Sequence, residues 1–331
     1  MDAKKKYLLI YHREDNDGVF SGGLFYNYLR YELKIPESDI TPMGADYNML
    51  AGWQAQNPPK KLHQQYTNII MTDVSFNDVK FMKKLYDEFK SDFVWCDHHA
   101  PIIKLSFTNG FSDVPGVRET DRSAILCVWK FLYDPFDEDY KEKKIPELLR
   151  ILSAYDSWTF AQAGYDKKYA ADVNKGVTSE LDLNFKDVCS YLHDMMSKQP
   201  MHKISSIEDF YAQGKLINGN DAKRNRNVID TDGDFTWTLD DGKRPACAMF
   251  IQGGSSSQMF ESCQGKALNG IVFKRKPDSN WTISLYNVSD DDTFNCGAYM
   301  KEHYGGGGHV GAAGGTVTED KFIEILKKKA I

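Results

Sequence analysis

Three short apolar stretches in the first hundred residues each stop at acids or imidazoles, and this pattern constrains the fold more than any other feature. Residues 6–11 read as a strand and run into His12-Arg13-Glu14-Asp15-Asn16-Asp17-Gly18. Residues 68–72 form a second β-rich run, ending at Asp73. Residues 93–96 form a third, ending at Asp97-His98-His99 and then Ala100-Pro101. Helical spacing fills the intervals. In 19–33 Leu24, Tyr28 and Tyr31 share a face, and in 78–90 Val79, Met82, Leu85 and Phe89 do so, with a cap at 75–77. Strand–helix alternation predicts a parallel sheet, which brings the three strand ends to one edge. Open α/β sheets bind ligands at that edge. Pro101 biases its surroundings away from helix, so the Asp-His-His triplet is expected on a turn.

Imidazole beside carboxylate suits Zn, Mn or Fe. Asp15 and Asp17 stand two apart on a tight loop, so both can point at one ion. A calcium loop would need an oxygen ligand five residues before Gly18 and a Glu six after it; those positions hold Arg13 and Leu24. A turn that simply favours Asp, Asn and Gly needs no ion at all. The convergence of three strand ends is the physical argument for a polynuclear metal site.

Further along, residues 121–123 can cap a helix over 124–133, and a charged loop covers 134–144. An amphipathic helix over 145–158 carries Asp156 between aromatics, either as a buried capping acid or as a ligand in a dry pocket. Residues 180–230 read as helical, with 205–227 a long connecting helix. Strands then follow at 235–239, 246–251, 269–274 and 281–286, with helices at 255–263 and 294–303. Thr318 can cap a last helix, with acids first and lysines last as the helix dipole prefers. Before it lies Gly305-Gly306-Gly307-Gly308-His309-Val310-Gly311-Ala312-Ala313-Gly314-Gly315. Such a stretch is entropically costly, and its exposed N–H groups can form a nest for phosphate. The expected organisation is 1–195, a helical linker 196–234, and 235–331.

A length of 331 residues favours two domains, and 41% hydrophobic with 27% charged residues fits a globular chain with adequate cores. The formal charge of -6 leaves no polycationic surface for long nucleic acid or an anionic membrane. No apolar run approaches a membrane span. Cysteines 96, 127, 189, 247, 263 and 296 form no Cys-x-x-Cys pair and read as reduced core thiols, so a cytoplasmic protein is expected.

Together these stretches resemble the DHH phosphoesterase family. Its motifs look like His12-x-x-Asp15-x-Asp17-Gly18, Thr72-Asp73, Asp97-His98-His99 and Asp156. Gly306-Gly307-Gly308-His309-Val310-Gly311-Ala312-Ala313-Gly314 looks like the glycine–histidine signature of the DHH-associated C-terminal domain. The resemblance spans almost the whole chain. It implies an α/β fold, with a parallel-sheet N-terminal domain, a smaller α/β C-terminal domain and the active site in the cleft between them. It also implies two Mn2+ ions, with Mg2+ or another divalent ion as substitutes. His12 and Asp15 would bind one ion, joined by Asp156; Asp17 and His98 would bind the other; Asp73 would bridge them. Asp97, His98 and His99 would carry the catalytic motif, with Asp97 and His99 mainly supporting the ligands or touching substrate. Gly306, Gly307, Gly308 and His309 would bind substrate. The family's usual Arg before the glycine stretch is absent from Ser284-Leu285-Tyr286-Asn287, so Lys274 or Arg275 is the expected replacement.

The implied activity is Mn-dependent hydrolysis of phosphodiester bonds in short oligonucleotides by a two-metal mechanism. Neighbouring readings are a pAp-type nucleotide phosphatase, a cyclic-dinucleotide phosphodiesterase and a RecJ-type single-strand exonuclease. A catalytically silent nucleotide-binding module is a reading of another class. The expected partner is a short oligonucleotide or nucleotide, without a membrane; a homodimer is left open.

Overall fold

Alternating residues of the first strand serve two different cores. In β1 (Tyr7–His12), Tyr7, Leu9 and Tyr11 face one hydrophobic cluster, while Leu8 and Ile10 face another. The same division holds in β3 (Asn68–Thr72), where Ile70 faces the first cluster and Ile69 and Met71 the second. A period of two with both faces apolar is what a parallel sheet covered by helices on both sides requires. With β2 (Ile40–Ala45) and β4 (Phe93–Cys96), these strands form an all-parallel sheet in the order β2-β1-β3-β4. The computed structural model describes residues 5–133, 145–197, 200–239, 244–252, 257–263, 265–289, 294–308 and 310–331. The charged segment 134–144 and His309 therefore lie outside the described residues.

Helix Asn16–Asn27 lays Val19, Phe20 and Leu24 on one face of the sheet, joined by Ile125, Val128, Leu149, Leu152, Val177 and Leu192 from later helices. The other face is covered by Leu50, Leu62, Met82, Leu85, Ile102 and Ile103. β1 is central, and the chain leaves it toward β2 on one side and β3 on the other. The strand order thus reverses at β1, where a crevice opens at the carboxyl ends.

Several expectations are corrected here. β2 was not anticipated, because Pro42 and Gly44 argue against a strand; at a sheet edge the missing N–H of Pro42 costs nothing. Asp97, His98 and His99 lie outside helix, but Pro101 does not keep helix away: it sits in the first turn of helix Ala100–Thr108, where a proline N–H would have no partner anyway. Helix Val79–Phe89 is capped by Asp78, whose side chain accepts from Lys80 N–H, and not by 75–77.

The chain divides into two compact units, 1–215 and 216–331, the division falling inside helix Ile207–Asp232. The second unit holds a mixed sheet of β5 (Asp234–Leu239), β6 (Arg244–Phe250), β7 (Asn269–Arg275), β8 (Trp281–Asn287), β9 (Gly307–Gly308) and β10 (Ala312–Val317). Its order is β5-β6-β7-β8-β10-β9, and only β6 and β7 pair in parallel. Ala246, Ile271, Phe273, Ile283 and Leu285 pack one face against Met300, Phe322 and Ile325 of helices Cys296–Tyr304 and Glu319–Lys328. The glycine stretch is not the loop it was expected to be. Much of it is an antiparallel ladder, Gly314 opposite Ser284 and Gly315 opposite Ile283. A Cβ on Gly306 would sit 2.2 Å from the Gly314 carbonyl oxygen, so two backbones pass where no side chain fits. All six cysteines are buried and free, and no helix among the described residues is long and apolar enough to cross a membrane.

Candidate metal centre

The first ligand candidates come from the turn after β1. His12 is its last residue, and Asp15 is the N-cap of helix Asn16–Asn27. Asp15 divides its carboxylate: Oδ1 accepts from Gly18 N–H at 2.9 Å, while Oδ2 stands 3.1 Å from His12 Nδ1. The turn closes this tightly because residue 18 is glycine; a Cβ there would lie 2.2 Å from the His12 carbonyl oxygen. Asn16 pins the turn from behind, donating to Asn174 Oδ1 at 2.8 Å and Thr178 Oγ1 at 2.9 Å. Asp17 turns inward and accepts from the N–H groups of Ala124 and Ile125 at 2.8 and 2.9 Å. It thereby caps helix Ala124–Tyr133 from across the fold, a role expected of 121–123.

Asp73 follows β3 at φ +57°, a left-handed conformation that Asp tolerates better than most residues. Its N–H donates to Cys96 O at 3.0 Å, tying it to the end of β4. From there its two oxygens face opposite ways. Oδ2 is 3.4 Å from His12 Nδ1, and Oδ1 is 3.3 Å from His98 Nε2. His98 Nε2 also lies 3.6 Å from Asp17 Oδ2 and 3.3 Å from Asp156 Oδ2, at the end of helix Glu147–Asp156. Two donor groups result, His12–Asp15–Asp73 and Asp17–His98–Asp156, each with its atoms within 4.8 Å of one another. Asp73 reaches both. Asp156 thus stands with Asp17 and His98, not with His12 and Asp15 as the family pattern implied.

Asp97 has a different part. It is wholly buried, and both oxygens are engaged. Oδ1 accepts from the N–H groups of His98 (2.7 Å) and His99 (3.1 Å) and from His99 Nδ1 (2.7 Å); Oδ2 accepts from Trp95 Nε1 (3.0 Å). A carboxylate only accepts, so Nδ1 of His99 carries the proton. Asp97 thus positions His99, leaving Nε2 as that ring's open nitrogen. A third donor group contains His99 with Asp73 and His98, but its Nδ1 is 3.9 Å from Asp73 and committed to Asp97.

The electrostatics follow from crowding acids where water is scarce. Burial opposes charge on His12, yet Asp15 and Asp73 outweigh it and raise its pKa to about 11. His98 is lifted to about 10 in the same way, with Asp73, Asp17 and Asp156 overcoming burial. Burial and then the Asp73 charge push Asp17 up to about 7, and burial and then Asp17 hold Asp156 well above the carboxylate range. Asp73 is lowered despite its burial, because the His12 and His98 imidazoles face it at 3.4 and 3.3 Å. Three buried atoms facing this space, His12 Nδ1, Asp73 Oδ1 and Asp156 Oδ2, have no hydrogen-bond partner. Orphaned buried acceptors are uncommon unless an ion or water satisfies them. The donor set therefore fits divalent cations of the oxygen- and imidazole-binding kind, which would displace the protons these groups otherwise hold.

Other expected residues belong to the second unit. Lys274 and Arg275 end β7, exposed, in register with Thr282 and Trp281, and Arg275 faces Glu319 at 3.7 Å. Gly307 and Gly308 pair with Gly314 and Ala313 on the far edge of the same sheet, three strands away or roughly 15 Å at about 4.8 Å per strand. One neighbour of the centre carried no sequence signal. Tyr47 begins helix Tyr47–Gln56, its ring centroid 5.9 Å from His12 and 6.2 Å from His99. Burial, then the charges of Asp97, Asp73 and Asp15, hold its phenol above the ordinary value. The strand before it, with Pro42 and Gly44, concealed that a fourth strand end arrives here.

No protein-family model matches the sequence, and no curated protein matches it. Solved structures match it along nearly its whole length. An exopolyphosphatase-related protein from Bacteroides fragilis is 13% identical at a TM-score of 0.51, covering 99% of this chain and 92% of its own. A pGpG-specific phosphodiesterase from Vibrio cholerae is 15% identical at 0.50, covering 98% and 97%. RecJ from Thermus thermophilus, in complex with Mn2+, is 13% identical at 0.50; the match covers 98% of this chain but 51% of RecJ.

Proposed function

We propose, from the DHH-type fold that this chain shares with those structures, that it is a Mn-dependent phosphoesterase cleaving phosphodiester bonds of short oligonucleotides. The observation that carries this reading is Asp73, one buried carboxylate whose two oxygens face two separate acid–imidazole groups. In this reading His12 and Asp15 hold one ion, Asp17, His98 and Asp156 hold the other, and Asp73 is shared. Two divalent ions supply, when bound, Lewis-acid polarisation of the phosphoryl oxygens and acidification of water. The chain does the rest. The four carboxylates would offset the charge of two divalent ions. His99, held by Asp97, offers Nε2 to a phosphoryl oxygen. The glycine stretch with His309 is the proposed grip on the substrate's terminal phosphate.

Short substrates are favoured over long strands on two grounds. The net charge is -6 and the internal basic runs are short, such as Lys274-Arg275-Lys276, whereas a long single strand is held by a basic groove. The match to the pGpG phosphodiesterase covers nearly all of that chain, and the match to RecJ only half. The test is kcat/KM with Mn on labelled di- to pentanucleotides of RNA and DNA, cyclic dinucleotides and pAp, across a salt series. Efficiency should be highest on the shortest linear substrates. The slope of log K against log salt should be roughly -1.5 to -2, for about two to three contacted phosphates at about -0.7 each. Efficiency climbing steadily with length on a much steeper slope would assign a RecJ-like exonuclease instead. Binding without turnover on every substrate would assign a silent nucleotide-binding module.

A further inference from the structure

We propose that the hydroxyl of Tyr47 donates a hydrogen bond to a phosphoryl oxygen of the substrate held at the metal centre, an inference that rests on the phosphoesterase reading above. Tyr47 lies outside every stretch that suggested a site from sequence. Its neighbours anchor the start of its helix. Asp46 caps its helix, accepting from Met49 N–H at 2.8 Å, and pairs through its other oxygen with the Arg13 guanidinium. Arg13 in turn donates its N–H to Ala45 O at 3.1 Å, which fastens the end of β2 to the turn that carries His12 and Asp15. The ring so anchored stands nearly perpendicular to His99, at 84°, and tilted against His12.

The ring centroid lies 5.9 Å from His12 and 6.2 Å from His99, beside the acids Asp97, Asp73 and Asp15 that come from three different strand ends. Among the described residues the hydroxyl has no hydrogen-bond partner. A half-buried phenol without an acceptor, beside the proposed metal centre, is a donor whose partner arrives with the ligand. An ordinary phenol keeps its proton to pH about 10, so at neutral pH Tyr47 can only donate to an anion, never compete with it as one. The acceptor fitting this place is a phosphoryl oxygen, drawn there by the same cations that the acids hold.

The experiment compares Tyr47→Phe with the wild-type chain, since phenylalanine keeps the ring and its packing and removes only the donor. Three quantities are measured: Mn affinity by calorimetry, affinity of the Mn-loaded protein for inorganic phosphate, and kcat and KM on a dinucleotide. The expected result is unchanged Mn affinity, phosphate binding about tenfold weaker, and kcat/KM lower by about tenfold or more, the effect of one hydrogen bond to a charged group. Wild-type phosphate affinity and wild-type kcat/KM in the variant would overturn the proposal. Loss of Mn in the variant would overturn it too, because Tyr47 would then be supporting the ligands and not the substrate. If the wild-type protein turns over no phosphodiester at all, the phosphoesterase reading falls, while the phosphate titration still decides whether Tyr47 binds the anion.

Discussion

Asp73→Asn is expected to strip most of the bound metal from the protein and to lower kcat/KM roughly 10³-fold. Asp73 is the residue whose two oxygens face both donor groups, so an amide there, with one oxygen and no charge, takes a ligand atom from one proposed ion and a negative charge from both. The size of the effect follows from the several kcal/mol that a Lewis-acid ion contributes, at about 1.36 kcal/mol per tenfold in rate. Asparagine is the fitting replacement. Residue 73 sits at φ +57°, and Asn is among the residues that accept this conformation, so the backbone is preserved. Elemental analysis after gel filtration reads the metal directly. Full occupancy in the variant would remove Asp73 from its place between the ions.

Asp97→Asn should do the opposite, leaving the metal largely in place while costing about 2–3 kcal/mol of folding stability. The carboxylate of Asp97 is wholly buried and accepts from four donors. An amide has one oxygen. Whichever way it turns, its NH2 group meets either the Trp95 indole N–H or the donors of residues 98 and 99, and an unsatisfied buried donor costs about 1–3 kcal/mol. The denaturant midpoint measures this, with an unchanged slope showing that the unfolding reaction is the same. A variant as stable as the wild-type chain would mean that this network does not hold the end of β4.

These two residues also mark what could be read from the sequence and what could not. Asp73 and Asp97 were legible because strand periodicity is local: Asn68–Thr72 and Phe93–Cys96 each stop at an acid, and parallel pairing carries both ends to one edge. β2 was hidden because Pro42 and Gly44 break the pattern that marks a strand, and only its edge position makes them tolerable. Tyr47 was hidden with it. The cap of helix Ala124–Tyr133 was assigned to neighbours at 121–123, but Asp17 supplies it from 107 residues away, a pairing no local signal encodes. Pro101 shows the reverse error: a residue that opposes helix in its interior is at home in the first turn. The glycine stretch was read for its exposed N–H groups, whereas Gly306 is needed for the absence of a Cβ beside Gly314. Lys274 and Arg275 were chosen for charge alone, and their place along β7 sets them three strands from β9.

The central claim is that phosphodiester hydrolysis depends on a pair of ions held around Asp73. It is tested by stripping the full chain with a chelator, adding Mn back in measured steps, and following dinucleotide hydrolysis against ions bound per chain. The account predicts no hydrolysis by the stripped protein and activity that reaches its plateau at about two ions per chain. Hydrolysis that persists in the stripped protein would contradict it, as would a plateau at one ion.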